Sequence, residues 1–212
     1  MREMVGELVH PISLPLLSAE LRGLHASVEA CRACELGCSR ARAVPGEGPC
    51  PAGIVLVGEA PGAREDATGR PFIGVSGKRL TQALHEAGID RHEVFVTSVL
   101  KCRPPENRAP KPQEVLACRT HLDAQLRTLA PRVVVLLGAT AASARLGRQA
   151  VRAGLEGLRG RPHRPDPDRE PDATWQYVCT VHPAAALRFP NRLGRALVAD
   201  LSLAKGLADA SL

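Results

Sequence analysis

Gly53-Ile54-Val55-Leu56-Val57-Gly58, followed at once by Glu59-Ala60-Pro61-Gly62, is the stretch that decides the fold. An unbroken apolar run that ends in Gly and Pro reads as a short strand buried on both faces, the kind a parallel sheet uses. Working outward, Val94–Leu100, Arg132–Leu137 and Gln176–Val181 read as three more strands. Helical patterns separate them. Leu21, Leu24, Val28 and Cys31 recur at helical spacing within residues 18–32. Residues 76–87 form a helix stopped by Gly88, and Gln113–Leu129 is a helix entered through Pro110 and Pro112. A short helix starts at Ala139, and residues 191–207 form the last. Strand and helix alternate four times. That order predicts an α/β protein: a three-layer αβα arrangement around a central, mostly parallel four-stranded sheet. Residues 1–212 read as a single domain without internal repeats. Within it, 159–171 is too rich in Pro and charge to pack and is expected to be a surface loop.

Composition narrows the class. Hydrophobic residues make up 44% of the chain but aromatics 2%, so Leu, Val and Ala must build the core. The net charge is +6, and all but Lys78, Lys101, Lys111 and Lys205 of the 28 basic residues are Arg. Arg grips phosphate bidentately, so the excess fits a nucleic-acid partner, although an Arg-rich codon bias gives the same count. No apolar run reaches the length of a membrane span, and Arg2, Glu3 and Glu7 do not suit a secretory signal. The expectation is a cytoplasmic monomer. In that reducing setting seven cysteines are metal ligands or free thiols rather than disulfides.

In a parallel α/β sheet, ligands sit at the carboxyl ends of the strands. Here those ends carry Gly58 and Glu59 after the first strand, Ser98 to Cys102 on and after the second, and His182 after the fourth. Gly58 and Gly62 allow a close backbone approach, and Glu59, Glu65 and Asp66 crowd one loop where carboxylates can position a water. A Gly-Pro turn with a solvated acidic face would look the same. An imidazole at His182 can donate a hydrogen bond to a developing anion.

Cys31-Arg-Ala-Cys34 is a C-x2-C pair, and Cys102 and Cys118, with fifteen residues between them, fall after a later strand and inside a helix. Four thiolates suit either tetrahedral zinc or a [4Fe–4S] cluster. Cys38 and Cys50 flank the first pair as alternative ligands, and Cys179 reads as core.

Taken in order, these motifs resemble the family 4 uracil-DNA glycosylases, the iron–sulfur branch of that superfamily. The resemblance rests on Cys31-x2-Cys34, Gly58-Glu-Ala-Pro-Gly62, Glu65-Asp66-x3-Arg70-Pro-Phe-x-Gly74, Lys101-Cys-Arg-Pro-Pro-x-Asn107-Arg108, Cys118 and His182-Pro-Ala, over roughly residues 25 to 205. It implies a [4Fe–4S] cluster on Cys31, Cys34, Cys102 and Cys118. It also implies a monofunctional enzyme that flips a deaminated base out of DNA and hydrolyses its N-glycosidic bond to start base-excision repair. By the same resemblance Phe72 stacks on the base, and His182 bonds its O2 and steadies the leaving anion. Gly58 borders the base, and Glu59 and Glu65 shape the pocket and hold the water, with Asn107 a further candidate. Arg103, Arg108 and Arg188, near the pocket edge, are expected to contact DNA, and the segment from His182 to Arg188 resembles the loop that wedges into the duplex, with Ala186 or Leu187 as the wedge.

One departure bears on the substrate. Where the family has Thr-Asn after the second strand, this chain has Thr97-Ser98, a single hydroxyl in place of a carboxamide that reads the uracil edge. The pocket then suits uracil through a water, or another deaminated base such as hypoxanthine or xanthine. With the edge unread, the chain would be a DNA-binding or polymerase-associated relative with little catalysis. The insertion with an Arg-Arg-Ile-His stretch that marks covalently trapping relatives is absent, so turnover is expected.

Overall fold

The computed structural model describes residues 18–210. Helix α1 (Ala19–Ala30), capped by the Ser18 hydroxyl, leads through the short α2 (Leu36–Ser39) into β1 (Ile54–Gly58). Then follow α3 (Ala63–Thr68), α4 (Val75–Glu86), β2 (Val94–Ser98), α5 (Pro112–Leu129) and β3 (Val133–Leu137). The chain continues with α6 (Ala139–Leu146), α7 (Arg148–Leu158), β4 (Pro162–His163), β5 (Gln176–Thr180), α8 (Pro183–Arg188) and α9 (Arg195–Asp209).

The sheet runs β2-β1-β3-β5-β4. Its first four members are parallel, as the apolar runs require, and β4 is antiparallel to β5. The sheet therefore has five strands where the sequence pointed to four. The fifth is two residues long and lies inside the stretch expected to be a loop. That stretch is also docked rather than free: His163 is buried, and Glu170 accepts a hydrogen bond from the Tyr177 hydroxyl and pairs with the buried Arg145. Arg145 in turn reaches Asp123 on α5. The stretch otherwise lies largely at the surface, with Glu170 tying it to a buried partner.

Successive strand residues face opposite sides, and the core divides accordingly. Leu56, Val94, Val96, Val133, Val135 and Val178 pack under α4 and α9, while Val55, Val57, Phe95, Val134, Leu136 and Tyr177 pack under α1, α5 and α6. Truncating one of the fully buried leucines, such as Leu80 or Leu126, should cost about 2–5 kcal/mol. With both faces covered, the open edge of the layer structure is the carboxyl end of the strands.

Candidate active site at the carboxyl edge of the sheet

A cavity of about 570 Å³ opens at that edge. Glu59, Glu65, Phe72, Ser98, Asn107, Arg108, His182 and Arg188 all line it, from six separate segments of the chain. Its floor is set by sheet register. Gly58 and Ser98 are direct partners across β1 and β2. A Cβ on Gly58 would lie 2.4 Å from the Phe72 ring and 3.2 Å from the Ser98 hydroxyl, so the missing side chain is what admits the ring.

Phe72 is held in a left-handed conformation, with φ 51°. Such a backbone persists when its surroundings over-determine it. Two features do so here. The Glu65 carboxylate accepts hydrogen bonds from Ile73 N at 2.9 Å and Gly74 N at 2.8 Å. Gly77 leaves room that a Cβ would fill at 1.8 Å from the Phe72 carbonyl oxygen. Glu65 thus spends one oxygen on the Phe72 loop. Its neighbour Asp66 faces the other way and accepts from Ala41 N at 3.0 Å, tying down the segment after the first cysteine pair.

Glu59 is held differently. Its Oε2 accepts a 2.5 Å hydrogen bond from the Thr140 hydroxyl, at the start of α6. Thr140 did not emerge from the sequence; a threonine in an Ala-rich helix carries no motif, and the strand-end position was the one available signal.

His182 is the N-cap of α8, and its Nδ1 accepts from Ala184 N at 3.2 Å. A backbone N–H can only donate, so the neutral ring must carry its proton on Nε2. Burial lowers the imidazole's pKa below its ordinary value, and the nearby Glu59 charge opposes that shift. The ring centroid stands 6.0 Å from that of Phe72. On the far side, Gly138 lets β3 end against it: a Cβ there would be 3.1 Å from His182 Cβ.

Asn107 also has positive φ, 55°, and its Oδ1 accepts from Arg103 Nε at 2.8 Å. Arg108 is forked onto the buried Glu114 at 2.9 and 2.6 Å. That fork holds the Glu114 carboxyl below the usual carboxylate range. Without DNA bound, both guanidiniums brace the loop that presents Asn107. Ala186 is fully buried beside Phe72 in the core, so it cannot be a wedge; Leu187 is 42% exposed.

The cysteines sort themselves by surroundings. Cys34, Cys102 and Cys118 gather in one small apolar cluster with Leu36 and Leu100. Burial raises the Cys102 and Cys118 thiols, and each also feels the charge of Cys31. Arg40 Nη1 donates to Cys102 Sγ at 2.9 Å, and Lys101 N to Cys118 Sγ at 3.3 Å. Cys50 lies elsewhere, against Ser18 and the Thr128 carbonyl, Cys38 is exposed, and Cys179 is a buried strand residue whose thiol burial pushes up to about 12. Among the described residues, no three His, Cys, Asp or Glu side chains are grouped so as to hold a single metal ion.

Comparison with known proteins agrees with this geometry. The family model for the uracil DNA glycosylase superfamily matches residues 45–202. The chain is 42% identical over 178 residues to the type-4 uracil-DNA glycosylase of Pyrobaculum aerophilum, covering 82% of this chain and 88% of that one. It is 41% identical over 183 residues to the type-4 uracil-DNA glycosylase of Thermotoga maritima, covering 84% and 89%. To that of Sulfurisphaera tokodaii it is 38% identical over 199 residues, covering 89% and 84%. Matched across most of its length on both counts, the chain belongs to the uracil DNA glycosylase superfamily, within its type-4 family.

Proposed function

We propose that this protein is a monofunctional DNA glycosylase that removes uracil from DNA and so begins base-excision repair. One observation carries the reading: a neutral His182, its tautomer fixed by Ala184 N, faces the Phe72 ring across a cavity that also holds the tethered Glu59. A base flipped out of the duplex would stack on Phe72. Heterolysis of its N-glycosidic bond leaves the electron pair on the base and positive charge on the sugar. The His182 Nε2–H is then a donor for the new anion, acting mostly on the transition state. Glu59 has one oxygen fixed by Thr140, and the other is free to orient a water toward the sugar carbon. Asn107 stands at the same cavity as a second water ligand. Glu65 builds the site by shaping the Phe72 loop. No side chain is asked to form a covalent bond with the sugar.

Cys31, Cys34, Cys102 and Cys118 would hold a [4Fe–4S] cluster. One observation supports the fit: backbone and guanidinium N–H groups already point at two of the sulfurs, as cluster ligands need. When bound, the cluster supplies a covalent cross-link between the start of the chain and the Lys101–Asn107 loop.

A second substrate reading rests on Ser98. Its short side chain leaves room at the base edge beside Gly58, which suits a bulkier deaminated base such as hypoxanthine or xanthine. A cleavage panel tests both: oligonucleotides containing uracil, hypoxanthine, xanthine or a normal base. Cleavage of uracil alone supports the first reading, cleavage of a purine the second, and cleavage of none overturns both.

A further inference from the structure

Strand β2 is an edge of the sheet, and the segment that precedes β1 in the chain covers its outer side. Glu47 N donates to Val96 O at 3.0 Å and Val96 N to Glu47 O at 2.8 Å, an isolated antiparallel bridge. Carried two residues further, the same register sets Pro45 opposite Ser98. Proline has no N–H, so the Ser98 carbonyl can draw no ladder hydrogen bond from it. The Lys101 ammonium supplies one instead: Nζ donates to Ser98 O at 2.8 Å and to the Thr97 hydroxyl at 2.6 Å.

Lys101 is 1% exposed and is not among the described residues that line the cavity. A buried ammonium is costly unless it is well partnered, so its surroundings matter. Its stem starts from a fixed backbone. Lys101 N donates to Cys118 Sγ at 3.3 Å, and the Lys101 carbonyl accepts from Val44 N at 2.8 Å. The Thr97 hydroxyl that accepts from the ammonium donates in turn to the Pro45 carbonyl at 2.8 Å, which Gln125 Nε2 also reaches at 2.8 Å. Adjacent strand residues point to opposite faces. Thr97 therefore turns toward α5, where Gln125 lies, while Ser98 lines the cavity together with Val44.

Resting on the glycosylase reading, we propose that Lys101 is a positioning residue for base selection. Its ammonium stands in for the amide that Pro45 lacks and fixes the end of β2, and with it the Ser98 hydroxyl at the base edge beside Gly58. The group that reads the base is thus set from outside the cavity, by a side chain that does not itself meet the base.

The test measures single-turnover cleavage of oligonucleotides containing uracil, hypoxanthine or xanthine by Lys101→Met, which keeps the stem and removes the donors. The preference for the favoured base should narrow by roughly ten-fold or more, because a hydrogen-bonding group displaced from the base edge discriminates less sharply. Thr97→Val removes one acceptor of the ammonium, keeps the β-branched shape and lies on the face away from the base. It should shift the preference in the same direction, and it carries the test if Lys101→Met does not fold. Pro45→Ala in the Lys101→Met background returns an N–H opposite Ser98 and should recover part of the preference, which a general loss of stability would not allow. An unchanged preference in both single variants, or an equal slowing on every base, would overturn the proposal. Amide hydrogen exchange supplies a readout independent of cleavage. Val99 N donates to Gly58 O at 2.9 Å and Leu100 N to Glu59 O at 3.0 Å. Both amides should exchange roughly ten-fold faster or more in the single variants, while Val133–Leu137 keep their protection. Unchanged exchange at Val99 and Leu100 would also overturn it. Cleavage of no base by the unsubstituted protein would count against the glycosylase reading instead, and the exchange comparison would still report whether Lys101 fixes the end of β2.

Discussion

The Thr140 hydroxyl and the Glu59 carboxylate are joined by a 2.5 Å hydrogen bond that links the first turn of α6 to the loop after β1. Nothing else connects those two segments at the cavity among the described hydrogen bonds of either side chain. The bond fixes which Glu59 oxygen turns inward. Thr140→Val keeps the shape and removes the donor. Single-turnover cleavage should fall by up to roughly 10²-fold, the scale for a misplaced catalytic group, while DNA affinity holds. Thr140→Ser should restore most of the rate. An unchanged rate in Thr140→Val would show that Glu59 is oriented by other means.

His182→Ala should slow single-turnover cleavage by roughly 10²–10³-fold, as expected for one lost donor to a developing anion, with little change in DNA binding. A wild-type rate in this variant would remove His182 from the chemistry.

The same histidine makes a stability prediction. Burial depresses its pKa in the folded protein below the ordinary 6.5, so the unfolded chain binds its proton first. The contribution is fully present above that value and lost as pH falls through the folded pKa. His182→Asn retains an N-cap side chain but cannot titrate. Denaturant unfolding of the two proteins should therefore run parallel above pH 6.5 and converge in relative terms below it, the wild type losing more. Parallel curves throughout would mean that the ring does not titrate differently in the folded state.

Ser98→Asn restores a donor and an acceptor at the end of β2, beside Gly58. Uracil cleavage should rise relative to hypoxanthine and xanthine in the same panel. A fall in uracil cleavage would show that the added bulk obstructs Phe72 instead.

Purified protein should be coloured and contain iron in the proportion of a [4Fe–4S] cluster. Replacing Cys31, Cys34, Cys102 or Cys118 by Ser should abolish the visible absorbance, while Cys50→Ser should keep it, because Cys50 lies against Ser18 and Thr128. Colourless protein with one zinc per chain would correct the metal.

The parallel strands were legible because each is a short, largely apolar run rich in β-branched residues, and their carboxyl ends placed Gly58, Ser98 and His182 at one edge before any coordinates. What stayed hidden depended on side-chain partners. Pro162–His163 has no strand pattern and becomes one by pairing with the edge of β5. Helices α3 and α8 have six residues each, too few to show a period. Ala186 was a wedge candidate by the resemblance alone, and the turn of α8 carries it into the core. Glu59 and Glu65 were equivalent as letters; Thr140 and the backbone of Ile73 and Gly74 tell them apart.

Adjacent carboxylates on α3 give this chain little modularity. Glu65 grips the Phe72 loop and Asp66 the segment around Ala41, so two distant stretches share one short helix as their common anchor. A change that tilts this helix would therefore disturb the segment after the first cysteine pair and the Phe72 loop together, although the two lie far apart in the chain.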